Sequence, residues 1–294
     1  MTAHASALDR DRLTRLAPAL VAGLAFVILF YSPIVTLFRD WWNEPEAQHG
    51  LLLGPLAIFL AWKKGVGDDA SPQPLLGLTL LSMAVLLRYA AALAAEMFTL
   101  RLSLMGALFA LVVYLWGLRQ AFRWWLPFAL LILSVPLPQV ILSSLAVPLQ
   151  LRASRLGSAL LEWRGVPVQL EGNVIYLPGQ TLFVAEACSG LRSLTALVSL
   201  SLLLGALWLR TVPGRIALLI LVVPIAMLVN GIRVFLTGFL VFFVDPAMGE
   251  GFMHMSEGWG LFVVAFLMTA AVTWGLRMGE RLPLPGLGRR EGTT

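Results

Sequence analysis

Ile216 to Val244 reads IALLILVVPIAMLVNGIRVFLTGFLVFFV, 29 residues whose only charge is Arg233. About 20 consecutive apolar residues carry a helix across a bilayer. A run this long and this poor in charge has no place in a water-soluble globule, so lipid is part of the solvent. The rest of the chain agrees. Of its 294 residues, 59% are hydrophobic and 13% charged, whereas a soluble domain carries about 25% charged residues. Mean hydropathy is +0.85.

Working outward, the same criterion marks Ala17–Phe38, Leu75–Ala95, Phe98–Trp116, Gly190–Leu209 and Ser256–Leu276 as further spans. Gly50–Trp62 and Trp124–Pro138 are shorter and read either as spans or as re-entrant segments. Arg10, Arg12 and Arg15 precede the first run, as in a signal peptide. Its roughly 22 apolar residues exceed the usual h-region of about 7–15, however, and no small-x-small cleavage site follows. It reads as a retained helix.

Basic residues set the topology. With eight crossings and the N-terminus inside, the cytoplasmic side holds Arg10, Arg12, Arg15, Lys63, Lys64, Arg119, Arg123, Arg210, Arg215, Arg277, Arg281, Arg289 and Arg290. That is thirteen of the twenty-one basic residues. The outer side holds ten of the sixteen acids, including Asp40, Glu44, Glu46, Asp245, Glu250 and Glu257. Making Gly50–Trp62 re-entrant would put Lys63, Lys64, Arg119 and Arg123 outside, against the positive-inside rule. The expected fold is therefore an all-α polytopic membrane protein of about eight transmembrane helices, both termini cytoplasmic.

The longest connection, Gln139 to Ala187, is external in this topology. Val140–Trp163 mixes apolar residues with Gln150, Arg152, Arg155 and Glu162, and reads as an amphipathic helix on the membrane surface. Then the period changes. Val166, Val168 and Leu170 alternate, Glu171-Gly172-Asn173 makes a turn, and Val174 and Tyr176 alternate again, which predicts a small β-hairpin between the fifth and sixth helices. Residues 1–16 are expected to be a cytoplasmic segment, 17–278 a single transmembrane domain that includes the external 139–187, and 279–294 a cytoplasmic tail without a fused soluble domain. The run 216–244 is either one tilted helix or a helix broken near Gly231.

Several function classes drop out. The net charge of +5 resides in short gaps between apolar runs and forms no basic stripe, so no nucleic-acid partner is expected. The single cysteine, Cys188, excludes an internal disulfide. His4, His49 and His254 are the only histidines, with no zinc-site spacing, and neither a Walker nor a GxGxxG pattern is present. No metal and no cofactor are expected.

Polar groups at membrane depth are costly and mark function. Near the outer ends of the last three helices stand Cys188, Asn230 with Arg233, and His254. Counted from the cytoplasmic ends at Leu209, Ile216 and Leu276, Cys188, Arg233 and His254 rise roughly 32, 26 and 33 Å at about 1.5 Å per residue. An arginine side chain snorkels across the difference. A thiol, an imidazole and a guanidinium at one level suit nucleophilic catalysis. An ordinary thiol titrates near about 8.5, and a neighbouring cation favours the reactive thiolate. Cys188 would attack an amide carbonyl, His254 would move the proton, and Arg233 would stabilise thiolate or oxyanion. Arg192 would assist or bind an acidic substrate group. Structural explanations compete: a lone cysteine is ordinarily an apolar filler, and Arg233 suits an ion pair with Glu186, Glu250 or Glu257. Other functions that fit the composition are a transporter or channel, an intramembrane serine protease using Ser189 with His254, and a non-catalytic component of a polysaccharide-export complex.

The run Glu186-Ala187-Cys188-Ser189-Gly190-Leu191-Arg192-Ser193, then Asn230-x-x-Arg233, then His254-x-x-x-Gly258, resembles the exosortase/archaeosortase family. His49-Gly50 before Leu51-Leu52-Leu53-Gly54-Pro55 and Trp62-Lys63-Lys64 is similar to that family's second helix. Val166-Pro167-Val168 through Gly172-Asn173 and Ile175 matches it too. The resemblance covers nearly the whole chain. It implies a membrane-embedded, sortase-like cysteine transpeptidase or protease of the cell (inner) membrane, with its active site on the external face. Its substrates would be exported proteins whose C-terminal sorting signals hold a short motif such as Pro-Glu-Pro, a transmembrane helix and a basic cluster. Partners implied are that helix, membrane lipids and a lipid or glycan acceptor. Cys188, Arg233 and His254 take the catalytic roles, with Arg192, Asn230, Glu186, Ser189 and His49 supporting. Where the family carries tyrosine-serine before the early His-Gly, this chain has Ala47-Gln48.

Overall fold

The computed structural model describes residues 20–184, 191–246 and 251–281, with side chains described for all of these except 191 and 251–257. The chain divides into two compact units, Met1–Pro136 and Leu137–Thr294. Both are helical, and the second also carries a small sheet.

In unit 1, α1 (Leu20–Leu29) and α2 (Tyr31–Asn43) meet at 63°. Pro33 supplies the cause. It lacks the N–H that would bond to Leu29, and its ring crowds that carbonyl, so the helix breaks at Phe30. Phe30 itself is fully buried, within a cluster that includes Leu37, Trp41, Leu104 and Ala107. Next come α3 (Gly50–Lys64), α4 (Pro74–Leu93), α5 (Met97–Trp116), α6 (Leu118–Arg123) and α7 (Trp125–Leu133).

The α4–α5 hairpin is closely packed. The buried positions of α4 are Gly77, Ala84 and Ala91, one small residue every second turn, and a Cβ on Gly77 would collide with the backbone of Tyr114. Small residues are what allow two helix backbones to approach in lipid. The turn between them closes as a Schellman motif: Glu96 N–H donates to Ala91 O (2.9 Å), Ala95 N–H donates to Ala92 O (3.2 Å), and Ala95 takes φ 52°. Glu96 then caps α5 by accepting from the N–H groups of Phe98 and Thr99.

The two ends of unit 1 differ in charge. At one, Lys64 Nζ donates to Arg123 O (2.6 Å), while Gln120 Nε2 and Trp124 Nε1 both donate to Gly65 O (3.1 Å each). At the other, Arg101 pairs with Asp40 at 2.5 Å, Trp41 Nε1 donates to Ser134 O (2.7 Å) and His49 Nε2 meets Leu133 O (3.2 Å). The helices α3, α4, α5 and α7 each run between these ends.

Unit 2 begins with α8 (Gln139–Trp163), followed by β1 (Gln169–Glu171), β2 (Val174–Leu177) and β3 (Gln180–Phe183), then α9 (Leu191–Trp208), α10 (Val212–Phe243) and α11 (Gly251–Gly279). The sheet is antiparallel in the order β1-β2-β3. Gly172, at φ 63°, opens the two-residue turn to β2, where an L side chain would be strained. Leu170, Ile175 and Leu182 stand opposite one another across the three strands and face the core. The expected hairpin is present, and β3 extends it by a strand that the alternation of apolar residues did not announce.

Helix α8 is helical over the expected residues, but its small-residue face is spent on α10 rather than left for the membrane surface alone. Arg152 reaches Met227, Leu156 fills the space over Gly231, Gly157 lies against Val234 and Leu161 against Gly238. The order of those contacts makes the two helices parallel over about three turns. Helix α10 is continuous for 32 residues despite Pro224, which resolves the two readings of 216–244 in favour of one long helix. At about 48 Å it exceeds a bilayer core of about 30 Å.

Among the described residues, four helical segments are long and apolar enough to cross a membrane: α4, α5, α10 and Gly258–Gly279 of α11. Counting the bent pair α1–α2 as one span makes five. The expected span at Gly50–Trp62 lies within a helix of 15 residues and that at Trp124–Pro138 contains one of 9, and α9 is a shorter apolar helix.

Candidate active site

Three helices of unit 2 meet around a narrow crevice lined by Ser193 and Leu197 from α9, Ala226, Val229, Asn230 and Arg233 from α10, and Gly258, Leu261, Phe262 and Ala265 from α11. On each helix these positions recur at three or four residues, so one stripe of each faces inward. Helices α9 and α11 both run antiparallel to α10: Gly205 lies near Leu218, and Gly258 lies at Arg233. The start of α9, the Asn230–Arg233 turn of α10 and the first third of α11 therefore share a level.

The guanidinium of Arg233 is laid against Gly258. A Cβ at that position would stand 3.3 Å from Nη2, closer than such contacts normally come, and 3.5 Å from Cζ, an ordinary contact. A side chain there would shift the charged group by a fraction of an ångström. Gly258 closes the pattern His254-x-x-x-Gly258, and this close approach gives the glycine a role. Position 254 is helical and stands one turn before Gly258, on the same face of α11 by the i, i+4 rule. The side chain of His254 lies outside the described residues, as do Glu186, Cys188 and Ser189 entirely. Cys188 precedes Ser193, which lines the crevice, by five residues.

Of the supporting residues, Asn230 is buried, at 6% exposure, in the wall of the crevice. Arg192 is exposed in the first turn of α9, where its carbonyl accepts from Thr195 Oγ1 (3.0 Å). His49 belongs to unit 1. It is held at the start of α3 by Leu133 O, and burial pushes its imidazole pKa down, partly offset by hydrogen bonds to the Leu133 and Glu46 backbones. Beside it the indole of Trp41 lies across Gly50 and Gly54, which leaves no room for a Cβ at Gly50. The His49-Gly50 pair thus packs the α2–α3 connection. Among the described residues, no three His, Cys, Asp or Glu side chains come together as a metal site.

Long apolar helices, with a guanidinium and an amide lining a crevice between three of them, define a multi-pass membrane protein with a polar site among its helices. The sequence model of the transmembrane exosortase family (Exosortase_EpsH) matches residues 41–271, from Trp41 through the crevice to α11, and the chain belongs to that family. It is a family of cysteine transpeptidases. No curated protein and no solved structure matches the chain.

Proposed function

We propose that the protein is a membrane cysteine transpeptidase or protease that cleaves C-terminal sorting signals of exported proteins at the external face of the cell (inner) membrane. Arg233 against Gly258 carries the proposal, because it puts a guanidinium one helical turn from position 254 and level with the α9 turn that follows Cys188. A cation at that place would favour a thiolate or a tetrahedral oxyanion.

The reaction balances with these residues alone. His254 takes the proton from the Cys188 thiol, and the sulfur attacks the scissile carbonyl. The C–N bond breaks as His254 protonates the leaving amine. Water, an amine or a hydroxyl then attacks the thioacyl carbon, giving its proton to His254, and the thiol is restored. Hydrolysis or transfer to a lipid or glycan acceptor differs only in that second nucleophile.

Eight crossings with both termini cytoplasmic suit the separation of charge between the two ends of unit 1, where α3 and α7 run from the end holding Lys64 and Arg123 to the end holding Asp40 and Glu96. A substrate helix with a cytoplasmic basic cluster would place its motif outside. An acidic residue of that motif would pair with Arg192 or with Arg152 or Arg155 of α8, and an Arg192→Ala protein with undiminished processing would remove Arg192 from that role. The deciding test of the enzyme is co-expression of Cys188→Ala with a protein carrying such a signal. Processing should stop while the variant stays folded and inserted. Continued processing, or solute transport by the same variant in liposomes, would replace the enzyme with a rival function.

A further inference from the structure

At the end of unit 2 remote from the crevice, α9 finishes at Trp208, α10 starts at Val212 and α11 finishes at Gly279. Two of these termini are already matched to their dipoles. Glu280 accepts from the N–H groups of Arg210 (2.9 Å) and Thr211 (3.1 Å) and from Thr211 Oγ1 (2.6 Å), which places a carboxylate at the N-terminus of α10. Arg215 donates through Nε (3.2 Å) and Nη2 (3.0 Å) to Leu209 O, which places a guanidinium at the C-terminus of α9.

Around this clamp lies a cavity of about 260 Å³ whose lining is Arg210, Arg277, Glu280 and Arg281. Three guanidiniums thus share one small space with a single carboxylate, and that carboxylate is already committed to three donors. No ion pair closes on Arg210, Arg277 or Arg281 among the described residues. Trp208 and Trp274 are exposed at the same end, where amphipathic rings mark the headgroup level of a bilayer. By the positive-inside rule this end faces the cytoplasm.

We infer that this cavity binds the phosphate of an anionic phospholipid of the inner leaflet, with Arg277 and Arg281 as its principal contacts. Arginine forks match phosphate oxygens in pairs, basic pockets between helix ends on the cytoplasmic side suit such headgroups, and the Trp208 and Trp274 rings would flank the glycerol and upper acyl chains. The lipid would tie together the ends of the three helices that carry the crevice, and its binding does not depend on the catalytic proposal.

The test uses the full-length protein in nanodiscs of phosphatidylcholine with or without phosphatidylglycerol, read by native mass spectrometry and by thermal unfolding. Phosphatidylglycerol should remain bound and raise the unfolding temperature. Arg277→Gln/Arg281→Gln should weaken binding roughly tenfold or more, since each basic residue at a membrane surface contributes about a factor of five. Lys63→Gln/Arg119→Gln, which removes the same charge from unit 1, should leave it intact. If the α11 variant fails to fold, the single Arg281→Gln, at an exposed turn, carries the same comparison. Equal loss in both double variants would mean diffuse surface attraction and would overturn the site. Stabilisation by inorganic phosphate in neutral detergent equal to that by the lipid would overturn the lipid assignment.

Discussion

Arg101 and Arg233 are both arginines in apolar helices, one in each unit, and they are placed differently. Arg101 closes on Asp40 at 2.5 Å, with 8% and 21% of the two side chains exposed. Its charge is neutralised within unit 1, where it fixes α2 against α5. Arg233 is turned toward a crevice between three helices and rests on a glycine. A guanidinium spent on a carboxylate is architecture. The other guanidinium lies against Gly258 in the wall of a narrow crevice, where the missing side chain of the glycine defines its position.

Substitutions can break that contrast. The largest effect should come from Arg233→Ala, which lowers processing by about a hundredfold or more, the loss that follows removal of one preorganised stabiliser of a transition-state charge. Arg101→Ala should act through stability instead. It strands the partly buried Asp40 carboxylate and costs about 3 kcal/mol of stability, whereas Asp40→Ala/Arg101→Ala should recover much of that loss in a double-mutant cycle. Equal losses of processing, measured per folded molecule, at the two arginines would erase the distinction between them.

Gly258→Ala is a milder probe of the same geometry. The added methyl stands 3.3 Å from Nη2 and must push the guanidinium aside, so processing should fall about tenfold or more, in keeping with the cost of misplacing a catalytic group by a fraction of an ångström to one ångström. Wild-type rates in Gly258→Ala would remove the significance given to this contact.

Acid separates the units further. In the folded protein His49 is held below its ordinary 6.5 by burial, and Glu280 below its ordinary 4.5, mainly by its hydrogen bond with Thr211. Each folded form binds the proton less readily than the unfolded chain. The stability each contributes is complete above the ordinary value and is lost as pH falls through the depressed one. Unfolding temperature in detergent should therefore drop first below about pH 6.5 and again below about pH 4.5. His49→Gln should flatten the first drop, which belongs to unit 1, and Glu280→Gln the second, which belongs to unit 2. The smallest effect is expected at Ala95, whose φ of 52° lies in the left-handed region. Ala95→Gly should stabilise the α4–α5 hairpin by about 1 kcal/mol or less.

Much of the fold was legible because apolar runs report helices directly. The expected spans at 75–95, 98–116 and 216–244 correspond to α4, α5 and α10 within a few residues at each end. The Gly172-Asn173 turn was legible because only a glycine readily takes its φ. Other features depend on contacts that composition does not carry. Strand β3 contains Gln180 and Thr181 and buries only Leu182 in the sheet core, too little for an alternating pattern. The break at Phe30 follows from Pro33 but falls before it, inside an apolar run. The alignment of α8 with α10 rests on Gly157, Gly231 and Gly238, which look like ordinary helix residues until a partner is placed beside them. Of the site, Arg233 was legible as a charge at membrane depth, whereas Gly258 as its seat required the antiparallel packing of α10 and α11.

The central claim is that Cys188 forms a covalent bond to the substrate beside Arg233 and His254. It is tested most directly by mass spectrometry of the Cys188 peptide after acid quenching of the native protein in mid-turnover with a sorting-signal substrate, His254 being left in place because it serves both steps. The account predicts that peptide carrying the N-terminal substrate fragment as a hydroxylamine-sensitive thioester. An unmodified Cys188 peptide, together with a Cys188→Ser protein that still processes its substrate, would contradict it.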